Sequence, residues 1–219
     1  MFAGELISRN IPFLHLEDNA AKALQEMNDF HVSHLPVVDE EKYLGLISED
    51  DLLDTDDNRT MESLRGSFTA PFVRQNDFFL LAVKRAKDLH LSVVPVVSEQ
   101  YELLGAIGEE DLFRQLALFA GMEESGGIII LEMEKSDFSV GEINRLIESN
   151  DAYITQLNSY LDTNTQLLTI TIRINKVEIS DILATLQRHE YNVKYHYGEE
   201  LYQNELQNNF VNLMNYLNI

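Results

Sequence analysis

The sequence contains no cysteine and few cationic side chains. The absence of cysteine excludes disulfide bonds and thiolate metal sites. The 16 Lys and Arg residues stand against 37 Asp and Glu, which gives a formal net charge of -21. This balance argues against nucleic acid and against an anionic membrane surface as partners, because both are recognised through positive charge.

Long hydrophobic runs are also missing. The longest purely aliphatic stretch, residues 128–131, is far shorter than the roughly 20 residues that cross a bilayer. The first residues have neither a basic start nor an apolar core, so we expect no signal peptide. A cytoplasmic protein is therefore predicted.

An internal repeat organises the first half of the chain. A shift of 59 residues places Pro12 on Pro71, Ala23 on Ala82 and His31 on His90. The same shift places Leu-Pro-Val-Val (35–38) on Val-Pro-Val-Val (94–97). With one inserted residue, Leu-Gly-Leu-Ile (44–47) meets Leu-Gly-Ala-Ile (104–107). Each β-α-β unit is too small to bury a comfortable core alone, so we expect the two copies to pair through their sheets.

Each copy has a local pattern of cap, helix and strands. In copy one, Asp18 or Asn19 caps a helix whose apolar stripe is Ala20, Ala23, Leu24, Met27 and Phe30. Residues 37–38 and 44–47 form strands, and a second helix begins after Ser48. In copy two, Asp77 is the predicted cap, and the stripe is Phe78, Ala82, Val83, Ala86 and Leu89. Residues 93–97 form a buried strand.

The pattern H-x-S-x-L-P-V-V-D followed by G-L-I-S-x-x-D-L resembles a cystathionine-β-synthase (CBS) domain. Two copies, about 1–60 and 61–120, resemble a CBS-domain pair, or Bateman module. The resemblance implies a regulatory protein without catalytic activity. It also implies clefts between the copies for an adenosine ligand such as AMP, ADP, ATP, NAD or S-adenosylmethionine.

The ligand motif of that family is G-h-x-S/T-x-x-D, in which a carboxylate accepts hydrogen bonds from both ribose hydroxyls. Copy one matches it with Gly45, Ser48 and Asp51. Copy two keeps Gly105 and Asp111 but has Gly108 in place of the hydroxyl residue. The two clefts are therefore predicted to be unequal, and the Ser48/Asp51 cleft is the better ligand site.

The resemblance also implies that each cleft joins the motif of one copy to the pocket of the other. Ser48 and Asp51 would face Phe72, Val73, Ser92, Val93 and Pro95. Asp111 would face Ile11, Ser33, His34 and Pro36. A phosphate would be met by His34 or by an arginine near the repeat junctions, namely Arg9, Arg59, Arg65 or Arg74.

A structural interpretation of the same residues stays open. Ser48 followed by an acid three residues later also reads as a near-capping box, and Gly108 is an acceptable N-cap. The CBS pair would then be a ligand-free dimerisation scaffold. Motifs for nucleophilic catalysis, phosphate-binding loops and zinc proteases are missing from the sequence, and we predict neither an enzyme nor a metal site.

The second half predicts a β-α-β-β-α-β domain over residues 126–198, after a linker at 123–127 that contains Gly126 and Gly127. Strands are predicted at 128–133, 152–160, 168–174 and 193–197. Ser139 begins a helix with Val140, Ile143, Leu146 and Ile147 inward, and the second helix is marked by Ile179, Ile182, Leu183 and Leu186. This order is ferredoxin-like, which makes the fold class α+β.

The second half resembles an ACT domain, a module that often binds amino acids at dimer interfaces. Its loop 134–138 keeps Asp137 but lacks the Pro-Gly of ligand-holding ACT domains, which favours a dimerising role over an amino-acid sensor. The order CBS pair then ACT-like domain resembles acetoin-utilisation regulators (AcuB-type). Residues 199–219 predict an amphipathic helix that packs on its own subunit or a twin, or else meets a regulated partner protein. We expect a homodimer.

Overall fold

The computed structural model describes residues 1–8 and 10–198 of the chain. The chain divides into two compact units, Met1–Leu116 and a second unit that begins at Ala117. The helix predicted at 199–219 lies outside the described residues, as does Arg9. The finer domain boundaries near residues 60, 120 and 126 stay predictions.

Copy one of the repeat forms a three-stranded sheet and two helices. Its elements are β1 (Leu14–His15), α1 (Ala20–Phe30), β2 (His34–Asp39), β3 (Lys42–Ser48) and α2 (Glu49–Leu53). The central strand β2 runs parallel to β1 and antiparallel to β3. The Asn19 side chain accepts a hydrogen bond from the Lys22 amide at 2.9 Å, so Asn19 is the N-cap of α1.

Copy two repeats this order. Its elements are β4 (Val73–Arg74), α3 (Leu80–Leu89), β5 (Val93–Val97), β6 (Leu103–Gly108) and α4 (Glu109–Phe119). Again the central strand, β5, is parallel to the short first strand and antiparallel to the third. The repeat seen in the sequence is therefore a repeat of structure.

The two histidines that the repeat aligns, His31 and His90, both terminate a helix. His31 and His90 each end the first helix of their copy in the left-handed conformation, both with φ of 53°. Histidine is among the residues that tolerate this region better than most. Their recurrence therefore follows from helix termination.

Each copy is completed by a segment that lies outside its own β-α-β unit. Ser8, near the N-terminus, bridges to Ala106 of β6, and Thr69, between the copies, bridges to Leu46 of β3. The motif glycines make room for these crossings. A Cβ on Gly45 would lie 2.7 Å from the Thr69 carbonyl oxygen, and one on Gly105 would lie 2.4 Å from a methyl of Ile7. Glycine at both positions is thus required by close packing between the copies.

The second unit is the predicted β-α-β-β-α-β domain. Its elements are β7 (Ile128–Met133), α5 (Val140–Glu148), β8 (Ile154–Leu161), β9 (Leu168–Ile174), α6 (Ser180–Arg188) and β10 (Val193–Tyr197). The antiparallel sheet has the order β10-β7-β9-β8, which is ferredoxin-like. Ile170, Ile172 and Ile174 alternate along β9 into a core shared with both helices.

Several local predictions are wrong. Helix α3 begins after Phe79, whereas the Asp77 carboxylate accepts from the Arg74 amide at 2.8 Å in the preceding turn. At the ends of the predicted apolar stripes, four side chains are exposed instead of inward: Phe30, Phe78, Leu89 and Val140. Phe79 is the aromatic side chain that enters the core of copy two in place of Phe78.

The glycine pair before β7 is held in the second unit and is not a free hinge. The Gly127 amide donates to Lys176 O at 2.8 Å, and the Gly127 carbonyl accepts from the Ile174 amide at 3.0 Å. A Cβ on Gly126 would lie 2.0 Å from Ile174 O. Close backbone approach therefore explains Gly126-Gly127 better than linker flexibility.

Candidate functional site

The Ser48–Asp51 motif lies where β3 ends and α2 begins. The Ser48 hydroxyl donates to Asp51 Oδ2, and the same oxygen accepts from the Ser48 amide at 3.2 Å. In return, the Asp51 amide donates to Ser48 Oγ at 3.2 Å, which completes a capping box. The other oxygen, Asp51 Oδ1, accepts no hydrogen bond from the described residues, and the aspartate is exposed. The carboxylate is thus fixed in orientation with one acceptor atom open.

The equivalent motif of copy two obtains its hydroxyl from another part of the chain. Ser8 Oγ accepts from the Gly108 amide at 3.0 Å and donates to Asp111 Oδ2. A Cβ on Gly108 would lie 3.6 Å from Ser8 Oγ. Ser8 therefore supplies a hydroxyl to Asp111 in a copy whose motif has none at Gly108. Sequence analysis missed Ser8, because it lies 100 positions from Gly108 in an irregular segment.

Both oxygens of Asp111 are engaged. Besides Ser8 on Oδ2, Arg114 Nη1 donates to Oδ1 at 3.1 Å. This is a clear difference from Asp51, which has no cationic partner among the described residues.

The beginnings of β2 and β5 meet between the two copies. Ser92 Oγ accepts from the Ser33 amide at 2.9 Å and lies 3.2 Å from His34 Nδ1. The Ser92 amide lies 3.4 Å from the same ring nitrogen, in donor geometry. Since His34 is opposite Ser48 in the β2–β3 ladder, this junction lies beside the copy-one motif.

Burial lowers the pKa of His34 from its ordinary value near 6.5, while the carboxylates of Asp51 and Asp50 act in the opposite direction. This shift favours the neutral form of the imidazole. The carboxylates that act on His34 belong to its own copy, whereas the resemblance had paired His34 with Asp111.

Phe72 lies away from Ser48. Its ring packs edge to face against Tyr43, with centroids 6.4 Å apart, and against Tyr101, at 5.4 Å. Tyr43 is near the start of β3 and Ser48 at its end, about 16 Å apart for an extended strand. Tyr43 donates its hydroxyl hydrogen to Pro71 O at 2.8 Å, and burial raises the pKa of this phenol. The structure does not bring Phe72 together with the Ser48–Asp51 motif.

The other apolar candidates are mostly core residues. Val73 and Val93 are buried in the core of copy two. Pro36 and Pro95 are each buried at the third position of their strand, β2 and β5. Ile11 is half-buried, and its Cδ1 would lie 3.4 Å from a Cβ on Gly108 of the copy-two motif. Their role in a ligand pocket stays a prediction.

The described arginine candidates are engaged locally. Arg65 pairs with Glu62 at 2.7 Å, Arg59 donates to the Ser63 carbonyl at 3.1 Å, and Arg74 stacks over Tyr101 at 5.9 Å. Across residues 1–8 and 10–198, no three His, Asp or Glu side chains converge as metal ligands. In the same part of the chain no helix is both long and apolar enough to cross a membrane.

One hydroxyl beside the copy-one motif was not predicted. Thr69 occupies in copy one the crossing position that Ser8 occupies in copy two, since it exchanges backbone hydrogen bonds with Leu46 at 2.6 and 3.1 Å. Its side chain is exposed and makes no hydrogen bond with the described residues. A repeat shift of 59 aligns Ser8 with Ser67 instead, which concealed the correspondence.

Comparison with known proteins agrees with this architecture. The CBS-domain family model matches residues 3–57. A CBS domain pair/ACT domain protein from Thermotoga maritima is 22% identical, with a TM-score of 0.50, over 54% of this chain and 98% of that chain. The CBS domains of a transcriptional regulator from Streptococcus pneumoniae are 18% identical, with a TM-score of 0.47, over 52% and 98%. The protein CBSX2, solved in complex with AMP, is 18% identical, with a TM-score of 0.46, over 54% and 98%.

Of these three, the Thermotoga maritima protein alone reaches a TM-score of 0.5, and at its low identity it bears on the fold alone. Residues 3–57 match the CBS-domain family model, and the fold is that of a tandem CBS-domain pair followed by a ferredoxin-like, ACT-like domain. The predicted fold class is confirmed. The resemblance to acetoin-utilisation regulators stays a prediction.

Proposed function

We propose that this protein is a non-catalytic regulatory sensor that binds an adenosine-type ligand at the Ser48–Asp51 motif. The main support for this proposal is the hydrogen bonding of the Asp51 carboxylate. Ser48 holds one carboxylate oxygen and fixes the side chain, while the second oxygen is open to solvent. A fixed carboxylate with a free acceptor oxygen suits the vicinal hydroxyls of a ribose, because charge-assisted hydrogen bonds are strong. Since the side chain is already ordered, ligand binding costs less conformational entropy.

The neighbours of Asp51 supply further hydrogen-bonding groups. The Thr69 hydroxyl is exposed and unengaged among the described residues. Ser33, His34 and Ser92 present polar atoms at the junction of β2 and β5, next to the end of β3. We infer that a nucleoside lies along this junction.

The electrostatics favour a ligand with little negative charge. The chain carries a net charge of -21, burial favours the neutral form of His34, and Arg65 is already paired with an acid. A triphosphate would meet an unfavourable field without local compensation. We therefore expect AMP or the cationic S-adenosylmethionine to bind more tightly than ATP.

A single ligand per chain is expected. In copy two, Ser8 and Arg114 already occupy both oxygens of Asp111, so a ribose would have to displace contacts of the chain itself. We propose that the protein acts in the cytoplasm as a homodimer, and that the ACT-like domain transmits ligand binding to a regulated protein. Regulation of this kind requires different affinities for two conformations.

The test is thermal unfolding against AMP, ADP, ATP, NAD, S-adenosylmethionine and amino acids. A ligand at 100 times its Kd adds about 2.7 kcal/mol, which shifts the Tm of a domain this size by roughly 5–10 °C. Asp51→Asn keeps an oxygen for the Ser48 cap but loses the charge, and we expect it to abolish the shift. The matched control is Asp50→Asn, one position earlier on the same exposed turn, which should keep the shift.

Two other functions have their own signatures. A dimerisation scaffold is indicated if no compound in the panel moves the Tm, since the capping box alone then accounts for Ser48 and Asp51. An amino-acid sensor is indicated if amino acids move it and Asp137→Ala removes the effect. Asp137 is exposed and accepts from the Ser136 hydroxyl at 3.0 Å.

A further inference from the structure

A polar cavity of about 440 Å³ lies on the helical side of the second unit, between α5 and α6. Strands β7 and β8 both run antiparallel to β9, so the helices that follow β7 and β9 run in opposite directions. The cavity therefore takes its lining from the last turns of α5 and from most of the length of α6. Its volume is in the range of sites for small organic ligands.

Asn150, which follows α5 and lines the cavity, forms hydrogen bonds to Leu146, to Thr185 of α6 and to Lys176. Asn150 Nδ2 donates to Leu146 O at 2.8 Å and to Thr185 Oγ1 at 3.2 Å. From the other side, Lys176 Nζ donates to Asn150 O at 3.2 Å. Such a network holds the two helices at a constant separation, so the cavity is formed without any ligand.

The charge of the cavity is opposite to that of the chain. Arg145, Arg188 and His189 line it, against one carboxylate, Asp181. Acidic side chains outnumber cationic ones in residues 117–219 as in the whole chain. Even so, neither arginine forms an ion pair with any described carboxylate, whereas Lys194 of the same unit pairs with Glu132.

We propose that this cavity binds a small metabolite through an oxyanion, either a carboxylate or a phosphate group. The two guanidinium groups would take the oxyanion, since their planar forks match two of its oxygens. The site is separate from the Ser48–Asp51 motif and from the loop that carries Asp137, and it is independent of the proposed nucleotide function.

The plain alternative is that each arginine only complements a helix end. Arg145 and Arg188 both lie in the last turn of their helix, where positive charge is favourable. That role involves no ligand, so binding measurements separate the two explanations.

The experiment is an NMR titration of the full-length protein with inorganic phosphate and, separately, with succinate, at constant ionic strength. We expect saturable shifts of the α5 and α6 amides, and the tighter of the two probes identifies the oxyanion. Arg145→Gln and Arg188→Gln should each weaken binding about tenfold, which corresponds to ~1.4 kcal/mol. Arg145→Lys should weaken it less, because the charge stays and the fork is lost.

Arg85→Gln is the matched control, an exposed arginine on α3 with no ion pair among the described residues. It should leave the titration unchanged. Shifts that rise linearly without saturation for both probes would overturn the proposal. So would saturable binding that survives both cavity substitutions, or that Arg85→Gln weakens equally. Because the readout is local to α5 and α6, failure here leaves the nucleotide proposal untouched.

Discussion

The two CBS copies differ in the residues that form hydrogen bonds with the motif aspartates, Asp51 and Asp111. In copy one, the cap hydroxyl of Ser48 and the crossing hydroxyl of Thr69 are separate, and the Thr69 hydroxyl makes no hydrogen bond with the described residues. In copy two, Gly108 offers no hydroxyl, and the crossing residue Ser8 bonds both the Gly108 amide and the Asp111 carboxylate. One copy thus has two hydroxyls and an open carboxylate, while the other has one hydroxyl and a carboxylate with both oxygens engaged.

This difference shows how a repeat can lose a motif residue without leaving partly buried polar groups unpaired. The Gly108 amide and the Asp111 carboxylate keep their hydrogen bonds because the N-terminal segment passes next to them. An unpaired polar group at such a position would cost about 1–3 kcal/mol. We expect a functional asymmetry between the copies, since a carboxylate that binds its own chain is less available to a ligand.

The largest effects are expected at the two motif glycines, which are the feature that the copies share. Gly45→Ala places a Cβ against the Thr69 carbonyl, and Gly105→Ala combines a contact with Ile7 and a φ of 147°. Each change should lower the free energy of unfolding by about 2–3 kcal/mol, as overpacking and backbone strain do. Urea denaturation measures this. Gly66→Ala is the control, because a Cβ there meets no atom within 4 Å; an equal loss at Gly66 would contradict the packing argument.

The next effect tests whether Ser8 replaces the missing cap. Ser8→Ala leaves the Gly108 amide and one Asp111 oxygen without their partner, and should destabilise the protein by about 1–2 kcal/mol. Adding Gly108→Ser to this variant should restore about half of the loss. A Cβ at 108 has only ordinary or slightly close contacts, the nearest at 3.4 Å to Ile11, so there is room for the new side chain. Urea denaturation of both variants gives the two values.

The double variant also tests the asymmetry of ligand binding. It rebuilds in copy two the arrangement of copy one, and removes the crossing hydroxyl from Asp111. If the first copy binds a nucleotide, calorimetric titration should give one site in the wild type and a second, weaker site in the double variant. If Gly108→Ser brings no recovery of stability in the Ser8→Ala background, Ser8 does not replace the cap.

The features of the two copies that depend on local sequence pattern could be predicted from the sequence. The repeat, the strands and both motif glycines follow from hydrophobic spacing and from the alignment of Gly45 with Gly105. Ser8 and Thr69 could not be found in this way, because their partners depend on how a segment of one copy crosses the sheet of the other. The ring contacts of Phe72 could not be found either, since its neighbours, Tyr43 and Tyr101, come from both copies.

A smaller effect is expected for the cap of copy one. Ser48→Ala removes the hydroxyl that accepts from the Asp51 amide, so α2 loses its N-cap at a cost of about 1 kcal/mol. It also frees Asp51 to rotate, and we expect any nucleotide affinity to fall with the stability. Ser48→Thr keeps the hydroxyl and is the control. Chemical denaturation and the thermal ligand assay together show whether cap and ligand site depend on the same group.

The smallest effect is expected on the pH dependence of the free energy of unfolding, through His34. This residue is specific to copy one, because copy two has Val93 at the equivalent position. Burial lowers the pKa of His34 in the folded protein below the unfolded value near 6.5. The unfolded chain then binds more protons in that range, so this residue makes stability increase as the pH rises towards and through 6.5 and decrease below it. His34→Gln should remove this part of the pH dependence, so the stability of the variant should change less between about pH 5.5 and 7.5. Unfolding measured across that interval in both proteins gives the slope directly. A steeper dependence in the variant would mean that Asp50 and Asp51, which act to raise the pKa of His34, outweigh its burial.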